Sequence, residues 1–543
     1  MATVKVKVDG REVVVEKGTN LIEAGKKAGV LVPSFCYHPG LPVVGVCRIC
    51  LCEVEGRPKL VAGCATPVEE GMHVITRSAK VRDARRAVME LLLIHHPLDC
   101  PMCDKGGECT LQDYTIMMGP AHSRFEFEKT TWPEEDVGGK LILNKNRCIL
   151  CLRCVNLCKE VAGEDEIAVL ARGEETYIGT VAGRKITNEL AGNIADICPV
   201  GALTSKDFRF RARPWELQPV PSVCTLCSKG CNTSVGYHPR RNEIVRITAR
   251  ENMDVNQWWI CDRGRGGFHP VHDPKRLAAP AGRNGAQGAT ATTWQDAIAA
   301  IALKLRAILT QHGEGSVGIV GSAELTNEEC FLTRSIFRDS LGIANLDFPS
   351  RPQPPVVYKQ FTIEGDQNPN TRGARAIGIA PGPQGLGLAD MMRAAAEGKI
   401  RALLFLRGGP LDRFGDPAVV ARALGQVELL VVVDSHPSPV SERAHWVLPG
   451  VSFAEREGTY TNSKGRVQRA PKVFTLRGDT REDWRILQDI GRALGVWTME
   501  SLGPEQIFQR LALAHPAFGG LDYTVLGELG APLAAATADV AVG

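Results

Sequence analysis

Valine recurs at every second position in TVKVKVDG and REVVVEKG, between charged residues. That is the period of a half-buried strand. The two stretches meet at Asp9-Gly10, a dipeptide suited to a tight hairpin turn, so an antiparallel hairpin is predicted. NLIEAGKKAGV then reads as a short amphipathic helix with a glycine near its end. KVRDARRAVMELLLIHH places Val88, Leu91 and Leu92 at helical spacing and delivers His96 at its end. EIVRITARE reads as a strand. The second half has another rhythm. TTWQDAIAAIALKLRAIL is a threonine-capped helix with Ile298, Ile301, Leu305 and Ile308 on one side, while GSVGIVGSAE, IRALLFLRGGP and VELLVVVDSHPSP are buried strands running into glycine or serine turns. Strands alternating with helices predict a doubly wound α/β domain.

Length and composition narrow the class. A chain of 543 residues allows roughly three to four domains at about 150 residues each. Its 44% hydrophobic and 23% charged content is that of a globular protein. A formal charge of +3 without a long single-sign block leaves no electrostatic footprint for nucleic acid. The alternating first residues lack the apolar core of a signal peptide, and no apolar run reaches the roughly 18 residues of a membrane span. The expectation is a cytosolic chain.

Cysteine changes the picture most. Seventeen of the 18 cysteines precede residue 262, in clusters that suit metal better than disulfides in a reducing compartment. The first set is Cys36, Cys47, Cys50 and Cys64, spaced C-x10-C-x2-C-x13-C, with Cys52 as a competing ligand. A second set is His96, Cys100, Cys103 and Cys109, in HHPLDCPMCDKGGEC. Three thiols and an imidazole suit zinc and a [4Fe–4S] cluster equally. A third run, RCILCLRCVNLCKE, has the C-x2-C-x2-C-x3-C spacing of bacterial ferredoxins. Its remote partner is Cys198 in DICPVGAL, so Cys148, Cys151, Cys154 and Cys198 form one set. No second trio precedes Cys198, and Cys158 is left over. The fourth set is Cys224, Cys227 and Cys231 in CTLCSKGC, with Cys261 after 29 residues. Four centres in series suit electron conduction, because tunnelling falls steeply with distance and zinc has no redox chemistry.

The strand–strand–helix pattern followed by a cysteine loop resembles a plant-type [2Fe–2S] ferredoxin. The residues HHPLDCPMCDKGGEC, RCILCLRCV, GNIADICPVGAL and ICDRGRGG together resemble the large iron–sulfur subunits of bacterial NADH:quinone oxidoreductase, complex I. The resemblance is dense over the first half and patchy over the second, where LPGVSFAEREGTYTNSKGRVQ resembles the molybdopterin oxidoreductases. It implies one [2Fe–2S] and three [4Fe–4S] clusters at the four sets, with a histidine ligand at the second and the fourth off the main electron route. It implies a multidomain α/β chain. A β-grasp [2Fe–2S] module occupies 1–78, and a [4Fe–4S] module with one histidine and three cysteine ligands occupies 79–119. A ferredoxin-like [4Fe–4S] module fills 137–216, a molybdopterin-oxidoreductase-type [4Fe–4S] module 217–273, and a doubly wound domain 274–543.

Molybdenum is not expected. Active relatives carry a metal ligand just after an Asn-hydrophobic-Asp segment; here NLDFPSRPQ puts Gln353 at that position, with Ser350 nearby, and Arg263 replaces the lysine between cluster and pterin. APLAAATADVAVG reads as a loose tail. The implied role is an electron-conducting subunit on the cytoplasmic side of the membrane. It would be docked to a flavin- and NADH-binding subunit and to further iron–sulfur subunits, without a complete active site of its own. The rivals are a molybdenum or tungsten formate dehydrogenase, the diaphorase subunit of an NAD-reducing hydrogenase, and a structural zinc scaffold.

Overall fold

The computed structural model describes residues 2–283 and 290–534; most of the expected C-terminal tail lies outside the described residues. The chain divides into two compact units. The first comprises residues 1–217 together with two short returns, 258–262 and 357–361. The second comprises 218–257, 263–356 and 362–543.

In the first unit, strands β1 (Thr3–Val8) and β2 (Arg11–Glu16) pair antiparallel from Thr3↔Glu16 to Val8↔Arg11. Asp9 and Gly10 both adopt positive φ, at 47° and 82°, which is what a two-residue hairpin turn of this hand requires. Val4, Val6, Val8, Val13 and Val15 point inward. Helix α1 (Leu21–Lys27) starts where the Asn20 side chain accepts the Glu23 amide at 3.0 Å. Strands β3 (Leu51–Val54), β4 (Val61–Ala62) and β5 (His73–Ile75) complete a five-stranded sheet in the order β2-β1-β5-β3-β4, with β5 parallel to β1. The first cysteine loop runs between α1 and β3.

Helix α2 (Ala79–Leu93) forms as its periodicity predicts, but its buried face differs. Val81, Arg85 and Met89 are buried, whereas Leu91 is 67% exposed. Arg85 is a core residue because its guanidinium donates to the carbonyls of Thr76 and Leu51, at 3.1 and 2.9 Å. An apolarity count passes over an arginine held this way. Downstream, strands Glu135–Gly138, Leu141–Leu143 and Leu203–Ser205 form a small antiparallel sheet. The third cysteine run leaves this sheet and enters the short helix Arg153–Asn156.

The two returns finish this unit. Trp259 is fully buried and stacks on His38 at 5.3 Å. Asn193 donates to the Ile260 carbonyl and accepts its amide, at 2.8 and 3.1 Å. The Tyr358 hydroxyl accepts the Glu189 amide at 2.8 Å.

The second unit opens with an antiparallel sheet, Gln218–Val223, Asn232–His238 and Glu243–Ala249. Its main body is a seven-stranded sheet with five parallel strands in the spatial order Leu346–Asp347, Val317–Val320, Ala402–Leu406, Leu429–Asp434, Trp446–Pro449. In chain order this is 2-1-3-4-5, a doubly wound arrangement whose switch point lies beside Val317–Val320. Ala402–Leu406 is buried at every position, as a parallel strand covered on both faces must be. The helix Trp294–His312 is capped by Thr293 and buries Ile298, Ile301, Leu305 and Ile308.

One buried acid in this unit should make its stability depend on pH. Glu328 accepts the Thr459 amide and hydroxyl and the Tyr523 hydroxyl, at 2.8 to 3.0 Å. Burial nevertheless pushes its carboxyl up from 4.5 to about 7. A raised carboxyl pKa gives a stabilising contribution that is full below 4.5 and is lost as pH rises through 7. Between pH 5 and pH 8 the wild-type chain should lose about 3 kcal/mol that Glu328→Gln keeps. Urea midpoints of the two proteins across that range would test this, and parallel profiles would refute it.

Candidate metal centres

The first loop gathers four thiols. Sulfur–hydrogen donation from Cys47 and Cys64 holds the Cys36 thiol far below its ordinary value and pushes Cys47 and Cys64 above theirs. Cys64 likewise donates to Cys50, which falls to about 7. Cys52 belongs to strand β3 instead: its Sγ lies 3.5 Å from the Cys50 carbonyl, and burial raises its thiol to about 12. Four soft donors at one end of the sheet fit a [2Fe–2S] core.

At the second site Cys103 and Cys109 are buried and Cys100 is exposed. Burial lowers the His96 imidazole to about 4, so the ring is neutral near pH 7, and its Nδ1 is buried without a hydrogen-bond partner. A neutral ring is what metal ligation demands. His95 differs: its ring is exposed, packs edge-on against Phe125 at 5.3 Å, and its Nδ1 accepts the Thr130 amide at 3.4 Å.

The third site is a pocket. Cys148, Cys151, Cys154 and Cys198 line a small pocket together with Ile149, Leu152, Ile178 and Val200. Leu150 and Leu152 take positive φ of 51° and 65°, and these two left-handed residues curl the C-x2-C-x2-C run around the space. The Leu150 amide donates to Cys148 Sγ at 3.4 Å. Burial pushes the Cys148 and Cys151 thiols up to about 12 and raises the Cys154 thiol well above its ordinary value. Thiols in this setting stay protonated until a metal displaces the proton. Cys158 does not line the pocket. It sits on the following helical turn, Leu157–Ala162, fully buried, with Asn188 Nδ2 at 4.0 Å.

At the fourth, Cys224, Cys227 and Cys231 occupy the turn between Gln218–Val223 and Asn232–His238 in the second unit. The turn is closed by the Cys224 amide donating to the Cys231 carbonyl at 2.8 Å. Cys261 falls in the first unit. Cys330 is buried in the core of the second unit, on helix Asn327–Thr333. Among the described residues no group of three or more His, Cys, Asp or Glu side chains is arranged to hold a metal ion. The thiols of the third set surround a space instead, as donors to a multi-atom core do.

The first three sites are stitched together by residues that the cysteine pattern does not single out. Arg147, directly before Cys148, pairs with Asp99, directly before Cys100. The Thr110 amide, next to Cys109, donates to the Pro199 carbonyl, next to Cys198, at 3.1 Å. A Cβ on Gly201 would lie 2.2 Å from Cys103 Sγ, so only glycine fits there. Arg153, between Cys151 and Cys154, donates to the carbonyls of Tyr37 and Ile197. A basic residue inside a cysteine run was the one available signal for Arg153.

Five family models match successive regions. They are a 2Fe-2S iron-sulfur cluster binding domain over 1–79 and the NADH-ubiquinone oxidoreductase-G iron-sulfur binding region over 85–124. The ferredoxin-like domain of NADH-quinone oxidoreductase subunit 3 follows over 138–204. A molybdopterin oxidoreductase Fe4S4 domain covers 217–273 and a molybdopterin oxidoreductase domain 368–493. The mitochondrial NADH-ubiquinone oxidoreductase 78 kDa subunit of Candida albicans is 44% identical over 58% of this chain and 43% of its own. The G subunit of the NADH-quinone oxidoreductase of Streptomyces coelicolor is 40% identical over 64% and 41%. The chain is a relative of the NADH-quinone oxidoreductase G subunits. The aligned part spans less than half the length of these two curated relatives. A solved NAD+-reducing [NiFe]-hydrogenase chain is 31% identical over 39% of this chain and 92% of its own, with a TM-score of 0.36.

In this G-subunit relative the molybdopterin-oxidoreductase domain keeps a cleft at the carboxyl ends of its parallel strands. About 480 Å³ is lined by Asp347, Phe348, Ser350, Arg375, Asp412 and Arg413, among others. Its two arginines are paired, Arg375 with Asp347 at 3.2 Å and Arg413 with Glu324, outside the lining, at 3.5 Å. Gln353 is exposed and does not line the cleft.

Proposed function

We propose that this chain is the electron-conducting iron–sulfur subunit of the peripheral arm of a proton-translocating NADH:quinone oxidoreductase. Cys36, Cys47, Cys50 and Cys64 hold a [2Fe–2S] cluster. His96, Cys100, Cys103 and Cys109, then Cys148, Cys151, Cys154 and Cys198, then Cys224, Cys227, Cys231 and Cys261 each hold a [4Fe–4S] cluster. Bound clusters supply one-electron redox chemistry. The chain's own residues fix their spacing, exclude water and set their charge environment. Electrons arrive from a flavin- and NADH-binding subunit, pass the first set and then the His-ligated and ferredoxin-like sets, and leave to another iron–sulfur subunit toward quinone. The chain binds neither NADH nor quinone, and its molybdopterin-like domain is a scaffold without molybdenum.

The observation that carries this reading is the adjacency of three cysteine sets in one unit, with the third hydrogen-bonded to the loops of both others. Structural zinc needs no such adjacency. Among the described residues no helix is long and apolar enough to cross a membrane; the attachment we propose is through partner subunits on the cytoplasmic side. Quantifying iron, sulfide, zinc and molybdenum in anaerobically purified protein tests the proposal. About fourteen irons per chain, counted from one [2Fe–2S] and three [4Fe–4S] cores, is the expected result, with equimolar sulfide and no molybdenum. Stoichiometric zinc without sulfide would overturn it.

A further inference from the structure

The geometry points to Arg153 as a shared cation that sets the reduction potentials of the first and third sites together. The inference rests on the cluster reading above and deepens it by naming a residue outside every ligand set.

Arg153 sits one residue before Cys154 and lines the third pocket. Its Nη1 donates at 3.0 Å to the carbonyl of Ile197, the residue before Cys198. Its Nη2 donates to the carbonyl of Tyr37, the residue after Cys36. The guanidinium therefore spans from the first cysteine loop to the remote cysteine of the third set. Its Nε is buried and has no hydrogen-bond partner. The two carbonyls it bridges each adjoin a ligand cysteine, Cys36 on one side and Cys198 on the other.

Nothing in this arrangement requires a positive charge for folding, because both acceptors are neutral carbonyls. No carboxylate partner neutralises Arg153 in an ion pair among the described residues, unlike Arg147, which is held by Asp99. A partly buried cation with neutral acceptors projects its field onto whatever lies beside it, and here that is the cysteine loops of both sites. Reduction adds one electron and no proton, so each reduced site gains one negative charge. When an electron passes from the first site to the third, the donor is oxidised and the acceptor reduced, and Arg153 is adjacent to the charge in both states. It therefore raises both potentials with little change in the driving force between them. Guanidinium groups stay protonated throughout the working pH range, so the effect does not titrate.

The test is a redox titration of the full cluster-loaded chain, with dithionite and mediators, followed by EPR at each site. Arg153→Gln keeps an amide donor and removes the charge. Both midpoints should fall, each by about tenfold in the reduction equilibrium, or ~59 mV for a one-electron couple. Arg153→Lys restores the charge without the two-pronged fork and should recover most of the loss at both sites. If Gln disturbs cluster content, Lys alone decides, with both midpoints staying within about twofold of wild type in that equilibrium, or ~18 mV. Unmoved midpoints in Gln, a shift at only one site, or a Lys variant that falls as far as Gln would each overturn the inference. Absence of cluster signals from the wild-type chain would instead overturn the cluster reading itself, so the two failures are distinct.

Discussion

Cys198→Ala should destroy or degrade the third centre, leaving at most a [3Fe–4S] signal, and should stop electron flow to quinone in the assembled complex. Cys158→Ala should leave the iron count and the EPR signature intact. Sequence proximity ranks these residues the other way, since Cys158 lies four positions beyond Cys154. The fold explains the inversion. The left-handed residues Leu150 and Leu152 curl the trio around the pocket, and the chain then enters a helix that carries Cys158 away from it. The short helix Gly192–Ile197 brings Cys198 back to the pocket wall. Cys158 is a buried thiol raised to about 12, an inert small hydrophobe. Its truncation should cost about 1 kcal/mol in packing. Iron quantification and low-temperature EPR of both variants decide the matter. A cluster lost from Cys158→Ala and kept in Cys198→Ala would refute the ferredoxin-type assignment.

His96→Cys should keep a [4Fe–4S] signal while lowering its potential, on the order of 100 mV by analogy with Rieske centres. The imidazole at this position is neutral, held so by burial. A thiolate in its place adds one negative charge beside the core and disfavours reduction. Rieske centres shift in the corresponding direction when imidazoles replace thiolates. His95→Ala should change little, because that ring only packs against Phe125 and accepts one backbone amide. EPR-monitored potentials of the two variants separate the roles. An unchanged potential in His96→Cys, or a cluster lost from His95→Ala, reverses the ligand choice.

The sequence was most informative where chemistry is local. The Asp9-Gly10 hairpin, the Asn20-capped helix and the buried strands of the second unit are written in neighbouring residues and appear at the expected places. The C-x2-C runs stand out in the sequence because soft metal donors recur there at short intervals. What was not legible depends on distant partners. The buried face of α2 includes Arg85, whose acceptors lie on Leu51 and Thr76, so counting apolar residues passed over it. Arg153 and Gly201 acquire meaning only when Tyr37 and Cys103 are brought beside them. The two returns of the chain into the first unit left no mark in the hydrophobic pattern.

Those returns bear on how the protein is made. The first unit needs Trp259 and Ile260 against His38 and Asn193, and Tyr358 against Glu189. Its principal segment ends at residue 217, yet its last piece ends at residue 361. At about 5–20 residues per second, the ribosome needs roughly 7–30 s to deliver the missing residues. Throughout that interval the nascent chain displays its first three cysteine loops on a unit whose final wall has not been synthesised. The unit is therefore complete only when a segment from beyond the middle of the chain has been synthesised.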